Sequence, residues 1–263
     1  MEGILKCKYL KLNDAIILNR SCLGQPVIIL EELSLPYELE LLSWQELAGE
    51  EFAKINPGGK VPAMHDPNTD VQIYESGAIV LYLIEQYDTE KKLTYTDTKQ
   101  KALLYQWLMF QMSQQGPYYG QVSWFKVLHT EPLPSAIDRY TRQAERIMRL
   151  LDEALAPTTP TTSSTSPDSP PTYLVGPKCT YADLAFYPWH EVIPLSMQYP
   201  PGETPISKYP NLFRWHKAMG QREAVRKAMG VRREMMEREK LEGGLPGDVD
   251  IEEVRRELAG RVR

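Results

Sequence analysis

The sequence has few of the residues that stabilise small secreted or metal-binding proteins. Three cysteines and four histidines occur in 263 residues, and their positions give neither a disulfide framework nor a metal-ligand spacing. We therefore predict no metal site and a protein of a reducing compartment, the cytoplasm.

Long apolar runs and a basic surplus are also absent. No apolar stretch approaches the roughly 20 residues that cross a bilayer, and the first residues show no secretory signal pattern. The net charge of -5 and the pI of about 5.5 argue against a nucleic-acid groove, which needs a dense basic surface. The sequence therefore predicts neither a membrane partner nor a nucleic-acid partner.

The first ninety residues alternate the hydrophobic periods of strands and helices. A turn signal, HDPNTD, separates two of the predicted strands, and Asn-Pro-Gly-Gly ends a short helix. The order β-α-β-α-β-β-α predicts an α/β thioredoxin-like domain. Its predicted elements are strands at 13–18, 37–42, 61–64 and 71–74, a helix that begins near Pro26, the short helix before Asn56, and a helix over 75–87.

The rest of the chain shows the 3.6-residue period of amphipathic helices. Helices are predicted over 102–112, 135–155 and 210–229, and Thr180 to Asp183 is a capping box before an apolar segment. A Ser/Thr/Pro-rich segment cannot bury a core and is predicted to be a mobile insertion. The predicted divisions are a thioredoxin-like domain at 1–88, a linker at 89–99, an all-helical domain at 100–230 with the insertion at 156–172, and a charged helical tail at 231–263.

The segment NPGGKVPAM, residues 56–64, carries a proline where a sheet would need an N–H donor. If the Val61–Pro62 bond is cis, the backbone N–H and C=O of Val61 turn outward and can pair with an extended peptide-like ligand. The alternative is an edge-strand proline with no ligand, and the spacing favours neither. Lys60 is either a contact for a carboxylate or a solvated lysine.

Glu75 and Ser76 stand at the predicted start of a helix. A helix N-terminus attracts a carboxylate and a serine hydroxyl adds a donor, while the neighbouring glutamate can hold an ammonium group. The pair therefore matches the head of an α-amino acid, which carries both charges. An acidic first turn with a serine cap is the structural alternative.

Ser21 and Cys22 lie between the first predicted strand and the first predicted helix. The helix N-terminus would lower the pKa of a ligand thiol there, and a hydroxyl or thiol donor would stabilise the thiolate. Cys22 could instead be a nucleophile that forms a mixed disulfide with the ligand, or a small buried thiol.

Aromatic and amide side chains are concentrated in QMSQQGPYYGQVSWF, residues 111–125. Tyr118, Tyr119, Trp124 and Phe125 are the candidates for lining an apolar substrate cleft. The same side chains could equally serve interdomain or dimer packing.

Four segments, read in order, resemble motifs of the cytosolic glutathione transferases. NPGGKVPAM is similar to the family's Asn-Pro-x-x-Lys-Val-Pro segment, and YESGAIVLYL to its Glu-Ser-x-Ala-Ile segment. FQMSQQGPYYGQVSWF and TYADLAFYPW resemble the fungal branch related to the yeast nitrogen-repression regulator, a branch found in natural-product biosynthetic clusters. The resemblance covers residues 13–230 and implies the glutathione transferase fold, an α/β thioredoxin-like domain followed by an all-α domain.

The resemblance implies glutathione as the cofactor and assigns its contacts. It implies that the cysteinyl backbone pairs with Val61, next to Pro62, and that the γ-glutamyl head binds Glu75 and Ser76. Lys60 is a further expected glutathione contact.

The resemblance also implies an enzyme, a glutathione S-transferase that acts as a homodimer. We expect Ser21 or Cys22 to stabilise the thiolate, which attacks an electrophilic apolar substrate near Tyr118, Tyr119 and Trp124. The expected substrate is a fungal secondary-metabolite intermediate. The expected reaction is conjugation or a glutathione-assisted trans–cis isomerisation of a double bond.

Two other functions remain open from the sequence. One is a thiol reductase based on Cys22, which predicts that Cys22→Ser abolishes deglutathionylation. The other is a non-catalytic, glutathione-binding regulator that acts through protein partners, which predicts no turnover with any electrophile.

Overall fold

The computed structural model describes residues 4–10, 24–42, 44–157 and 172–238. The chain divides into two compact units, one of residues 1–90 with 224–263 and the other of residues 91–223. The predicted insertion at 156–172 and the predicted tail at 231–263 lie outside the described residues except at their ends.

A mixed β-sheet with flanking helices forms the first unit. Its elements in chain order are β1 (Leu5–Leu10), α1 (Gly24–Glu32), β2 (Tyr37–Leu42), α2 (Trp44–Leu47), α3 (Glu50–Ile55), β3 (Ala63–Asp66), β4 (Val71–Tyr74) and α4 (Ser76–Tyr87). The four strands lie in the order β2-β1-β3-β4. β1 is parallel to β2 and antiparallel to β3, and β3 is antiparallel to β4. This arrangement agrees with the predicted thioredoxin-like domain.

The strand bounds differ from the prediction at two places. The first strand is Leu5–Leu10, which pairs along its whole length with β2, whereas the sequence indicated a strand at 13–18, which lies outside the described residues. β3 begins at Ala63, two residues later than predicted, because Pro62 has no N–H to give to a strand ladder.

The core of this unit lies between α1 and α4, which pack against each other. The middle of α1 is almost completely buried, and so is one face of α4. Burying one such aliphatic side chain contributes about 1.5–3 kcal/mol. The helices contribute Val27, Ile28, Ile29 and Leu30 of α1 and Ile79, Val80, Leu83 and Ile84 of α4 to the core, and the sheet contributes Leu5, Ala63 and Met64 among others.

The second unit is all helical, as predicted. Its helices are α5 (Thr98–Phe110), α6 (Gly116–Ser123), α7 (Pro134–Ala154), α8 (Tyr181–Ser196) and α9 (Pro210–Gly220). π-helical turns, Gln111–Gln115 and Trp124–Leu128, precede and follow α6. The capping box predicted at Thr180 and Asp183 is present at the start of α8.

The helix predicted over 210–229 is in fact two helices, so that prediction is wrong. α9 ends at Gly220, and α10 (Glu223–Arg238) begins after a break. The N–H groups of Gln221 and Arg222 bond to the carbonyls of Ala218 and Met219. These bonds span three residues, which tightens and closes α9 at its last turn.

Candidate functional site

The segments predicted to bind a ligand meet at one end of the β3–β4 hairpin. The strand register pairs Ala63 of β3 with Tyr74 of β4. Paired residues of antiparallel strands lie side by side, so the residues just before Ala63 and just after Tyr74 share one end of the hairpin. These residues are Lys60, Val61 and Pro62 on one side and Glu75 and Ser76 on the other.

The Val61–Pro62 peptide bond is cis, which was one of the two alternatives left open by the sequence. Both side chains are buried, so a ligand can meet Val61 only through its backbone. Val61 lies outside both strands, and among the described residues none is hydrogen-bonded to its N–H or C=O. Within the described part of the chain, these groups are therefore available to a partner outside the sheet.

A turn built around Asn56 leads into this position. Asn56 is buried, and its side-chain oxygen accepts the N–H of Gly58 at 2.8 Å. Its Nδ2 donates to the carbonyl oxygen of Lys60 at 2.6 Å. Gly59 has a positive φ of 58°, a conformation that glycine adopts without the penalty of a Cβ.

Glu75 has a strained backbone at the start of α4. Its φ of 70° and ψ of 116° lie in a region that side chains rarely adopt, at a free-energy cost of about 1–3 kcal/mol. Its side chain is exposed and makes no capping bond to the helix. Strain of this kind persists mainly at ligand clamps and active sites.

Ser76 is buried as the first residue of α4. The first N–H groups of a helix have no intrahelical acceptor, and the aligned peptide dipoles add positive potential there. The start of α4 is therefore suited to a carboxylate, while the adjacent Glu75 carries the negative charge that an ammonium group needs. The Lys60 side chain is exposed and adds a positive charge to the same end of the hairpin.

The opposite end of the hairpin is fixed to α4 by a buried carboxylate. Asp66 accepts hydrogen bonds from the hydroxyls of Tyr82, at 2.6 Å, and Tyr87. It also accepts the backbone N–H of Asn68 at 2.8 Å and its amide Nδ2 at 2.9 Å. Burial raises the pKa of Asp66, but these hydrogen bonds outweigh it and hold the pKa below its usual value. Both tyrosine pKa values are raised, by burial and by the carboxylate.

The aromatic candidates of the helical unit differ in exposure. Tyr118 and Trp124 are half-buried, and the ring of Tyr118 contacts that of Tyr140, with centroids 6.2 Å apart. Tyr119 is only 1% exposed and packs against the ring of His190. The structure therefore puts Tyr119 in the interior of the helical unit and leaves Tyr118 and Trp124 accessible.

A buried polar network occupies the middle of the helical unit. Gln111 donates to the side-chain oxygen of Gln115 at 3.1 Å, and Gln115 donates to the Phe186 carbonyl and to Nε2 of His190, each at 3.2 Å. Since Nε2 accepts, the proton of neutral His190 is on Nδ1, which has no partner among the described residues. Burial lowers the pKa of His190, and the neighbouring His216 lowers it further.

Three further predictions concern the thiolate contact, metal ions and the membrane. Ser21 and Cys22 lie outside the described residues, so their predicted contact with a thiolate stays a prediction. Within the described ranges, no group of three His, Cys, Asp or Glu side chains is placed to hold a metal ion. No described helix combines the length and the apolar character needed to span a bilayer.

Comparison with known proteins identifies the family. The glutathione S-transferase N-terminal domain model matches residues 25–86, and the C-terminal domain model matches residues 134–229. The chain is 42% identical over 205 residues to the glutathione S-transferase-like protein gedE of Aspergillus terreus. The aligned region covers 78% of this chain and 88% of the relative. The chain belongs to the glutathione S-transferase family. The predicted family and its fungal branch are thereby confirmed.

Solved structures of fungal glutathione transferases share the fold. URE2P8 of Phanerochaete chrysosporium, determined with oxidised glutathione, superposes with a TM-score of 0.74 at 31% identity and covers 90% of this chain and 98% of its own. Ure2p5 from the same organism, cocrystallised with 1-(S-glutathionyl)-2,4-dinitrobenzene, gives a TM-score of 0.72 at 27% identity, with 90% and 98% covered. These likenesses confirm the predicted transferase fold.

Sequence reasoning missed two polar groups of this family member. One is Asn56, which it treated only as part of a helix stop, although Asn before Pro-Gly-Gly is the composition of a turn closed by a side chain. The other is the network of Gln111, Gln115 and His190. No periodic signal could have found it, because π-helical turns shift side chains off the 3.6-residue pattern.

Proposed function

We propose that this protein binds glutathione at the end of the β3–β4 hairpin and uses it as the thiol cosubstrate of an enzymatic reaction. The observation that carries the proposal is the pair Glu75–Ser76, where a strained, exposed glutamate precedes a buried serine at a helix start. Glu75 offers a negative charge to the ammonium group of an amino-acid head, and the start of α4 at Ser76 offers N–H groups and positive potential to its carboxylate. The glutathione-bound structure of URE2P8 supports the same ligand.

Each residue of the site has a role that fits one part of the tripeptide. The start of α4 and Ser76 would hold the γ-glutamyl carboxylate, and Glu75 its ammonium group. The backbone N–H and C=O of Val61 would pair with the cysteinyl residue as a strand pairs with its neighbour. Lys60 would contact the glycyl carboxylate directly or face it across solvent.

The proposed chemistry depends on a stabilised thiolate. Glutathione supplies this nucleophile for an electrophilic carbon, and the product is a conjugate or, when the thiolate leaves again, an isomerised double bond. Ser21 or Cys22 is the proposed hydrogen-bond donor to the sulfur. Tyr118 and Trp124 are the proposed aromatic contacts of an apolar substrate, with Tyr119 supporting them from the interior. A fungal secondary-metabolite intermediate is the proposed substrate.

A homodimer is part of the proposal. Large apolar side chains are exposed on α5, where Tyr105 is 38% and Met109 50% accessible; being four residues apart, these two share one face of the helix. A helix face of this kind favours coverage by another protein surface, and a second copy would supply it. Sedimentation of wild type and Met109→Glu tests this: a dimer that the charge dissociates supports it, and a wild-type monomer contradicts it.

Calorimetric titration of glutathione tests the binding site. We expect wild type to bind in the micromolar-to-millimolar range and Ser76→Ala to bind about tenfold more weakly, the effect of losing one charge-assisted hydrogen bond. Ser207→Ala removes an exposed hydroxyl in the helical unit and should bind as wild type does. A wild-type protein that does not bind glutathione would overturn the proposal and favour a regulator without a ligand.

Turnover separates the enzyme from a binding protein. With an aromatic electrophile or a conjugated polyene, we expect product formation that requires glutathione and is reduced in Ser21→Ala or Cys22→Ala. Glutathione is consumed in a conjugation and not in an isomerisation, so its measured loss distinguishes the two reactions. Absence of any product with wild type that binds glutathione would contradict the enzymatic part of the proposal.

A further inference from the structure

The orientation of the Asn56 side-chain amide is fixed by its two backbone partners. The N–H of Gly58 can only donate, so the atom 2.8 Å from it must be the oxygen Oδ1. The carbonyl of Lys60 can only accept, so the atom 2.6 Å from it must be the nitrogen Nδ2. Asn56 is 3% exposed, so water does not compete freely for either bond.

The bond to Lys60 determines where the next N–H points. The Lys60–Val61 peptide bond is trans, since only Val61–Pro62 is cis among the described residues. In a planar trans peptide the C=O of one residue and the N–H of the next point in opposite directions. By drawing the Lys60 oxygen towards itself, Asn56 therefore turns the Val61 N–H away from itself.

The turn does not need this bond in order to close. The N–H of Gly59 bonds to the backbone carbonyl of Asn56 at 3.0 Å, and the N–H of Gly58 bonds to its side-chain oxygen. These two bonds already close the chain reversal at Pro57 and Gly58. The Nδ2 bond reaches beyond the turn to the one peptide group that precedes Val61.

We propose that Asn56 is a positioning residue for glutathione, because it orients the Val61 N–H towards the cysteinyl carbonyl. This inference rests on the function proposed above and adds to it a residue that does not itself touch the ligand. Asn56 acts by holding one peptide plane, which a bound tripeptide would otherwise have to order at its own free-energy cost.

The substitution Asn56→Asp tests this role selectively. The carboxylate retains an oxygen for the Gly58 N–H but places a second acceptor against the Lys60 carbonyl, so the two oxygens repel. The matched control is Asn68→Asp in the turn between β3 and β4. There the same substitution removes a donor to Asp66 and sets two carboxylates together, at the end of the hairpin away from the site.

Glutathione affinity and stability are measured together on these variants. We expect Asn56→Asp to bind glutathione about tenfold more weakly than wild type. Asn68→Asp should lower the urea midpoint at least as much and keep wild-type affinity. An Asn56→Asp variant that binds as tightly as wild type, or an Asn68→Asp variant with the same loss of affinity, would overturn the inference.

Two further measurements keep the test decisive. If Asn56→Asp does not fold, Asn56→Ser replaces the amide donor to Lys60 with a hydroxyl that is one bond shorter, without adding a charge, and should show the same weakening. In wild type, bound glutathione should slow hydrogen exchange of the Val61 amide, and unchanged exchange would contradict the role. Failure of wild type to bind glutathione would refute the proposed function itself, whereas wild-type binding with unaffected Asn56 variants refutes only the positioning role.

Discussion

The carboxylate of Asp183 accepts the indole N–H of Trp215 at 3.2 Å, which ties the start of α8 to the middle of α9. The same carboxylate accepts the backbone N–H of Leu174 at 2.9 Å. It also accepts the N–H and hydroxyl of Thr180, at 3.0 and 2.8 Å. Asp183 is completely buried, and burial raises its pKa while these hydrogen bonds act in the opposite direction. One side chain thus connects a helix cap, a loop and a second helix.

Replacing Asp183 is expected to destabilise the protein strongly. Asp183→Ala leaves several buried donors without acceptors, so we expect the free energy of unfolding to fall by about 3 kcal/mol or more. The matched control is Asp97→Ala, which removes the cap of α5 at an exposed site and should cost about 1 kcal/mol. Urea unfolding measures both, and an equal loss in the two variants would contradict the role of the buried network.

Glu75→Gly is expected to raise the stability of the protein while it weakens glutathione binding. Glycine relieves the strained backbone, and after its larger unfolded-state entropy is subtracted we expect a gain of about 1 kcal/mol. Loss of the carboxylate should at the same time weaken glutathione binding. Asp70→Gly, at a φ of 57°, is the control and should change neither property by much. Thermal unfolding and calorimetry check this, and a less stable Glu75→Gly would argue against backbone strain.

His190 is expected to make the protein acid-sensitive in a defined pH range. Its folded pKa lies well below the usual value because the ring is buried, whereas in the unfolded chain a histidine titrates near 6.5. Below about pH 6.5 the unfolded state binds a proton that the folded state does not, so stability falls by up to about 1.4 kcal/mol per pH unit. The contribution is absent above that pH.

The variant His190→Gln isolates this effect. Its free energy of unfolding should decline less than that of wild type between pH 7 and pH 5.5, whatever its stability at pH 7. Urea unfolding at three pH values across this range provides the comparison. Parallel declines for the two proteins would show that another group carries the proton linkage.

The sheet was largely predictable because its strands have simple patterns. β2 and β4 have the predicted bounds, since both alternate apolar and polar side chains. The first strand, LKCKYL, alternates in the same way, but the first strand was predicted at 13–18 because that segment contains a β-branched run. A single-sequence pattern could not identify Leu5–Leu10 as the strand beside β2, because strand pairing depends on contacts between residues distant in the sequence.

The proposed glutathione-binding end of the hairpin was predictable only as a set of residues. Motif order indicated Val61, Glu75 and Ser76, and the strand register then explains why these residues are adjacent. The backbone conformation of Glu75 and the hydrogen bonds of Asn56 were not predictable, because they depend on φ, ψ and side-chain reach within a particular turn. Neither feature leaves a periodic pattern of apolar residues in the sequence.

The tyrosines bound to Asp66 are expected to stabilise the hairpin in a pH-dependent way. Because hydrogen bonds hold its folded pKa below the unfolded value near 3.9, Asp66 contributes stability that is present above that value. The contribution is lost as the pH falls through the folded pKa. Tyr82→Phe removes one donor to the carboxylate, so the folded pKa should rise towards the unfolded one. We expect a loss of about 1.5–3 kcal/mol at pH 7, the usual worth of a hydrogen bond to a charged group.

At pH 3 the penalty of Tyr82→Phe should be smaller, because a protonated carboxyl accepts a weaker hydrogen bond than a carboxylate. Urea unfolding of both proteins at pH 7, 4 and 3 measures this convergence. Tyr105→Phe, which alters an exposed hydroxyl on α5, should match wild type at all three values. A penalty that stays constant from pH 7 to pH 3 would mean that the Tyr82 hydroxyl stabilises the hairpin through a neutral hydrogen bond, such as the one with Thr69 at 2.6 Å, and not through the charge of Asp66.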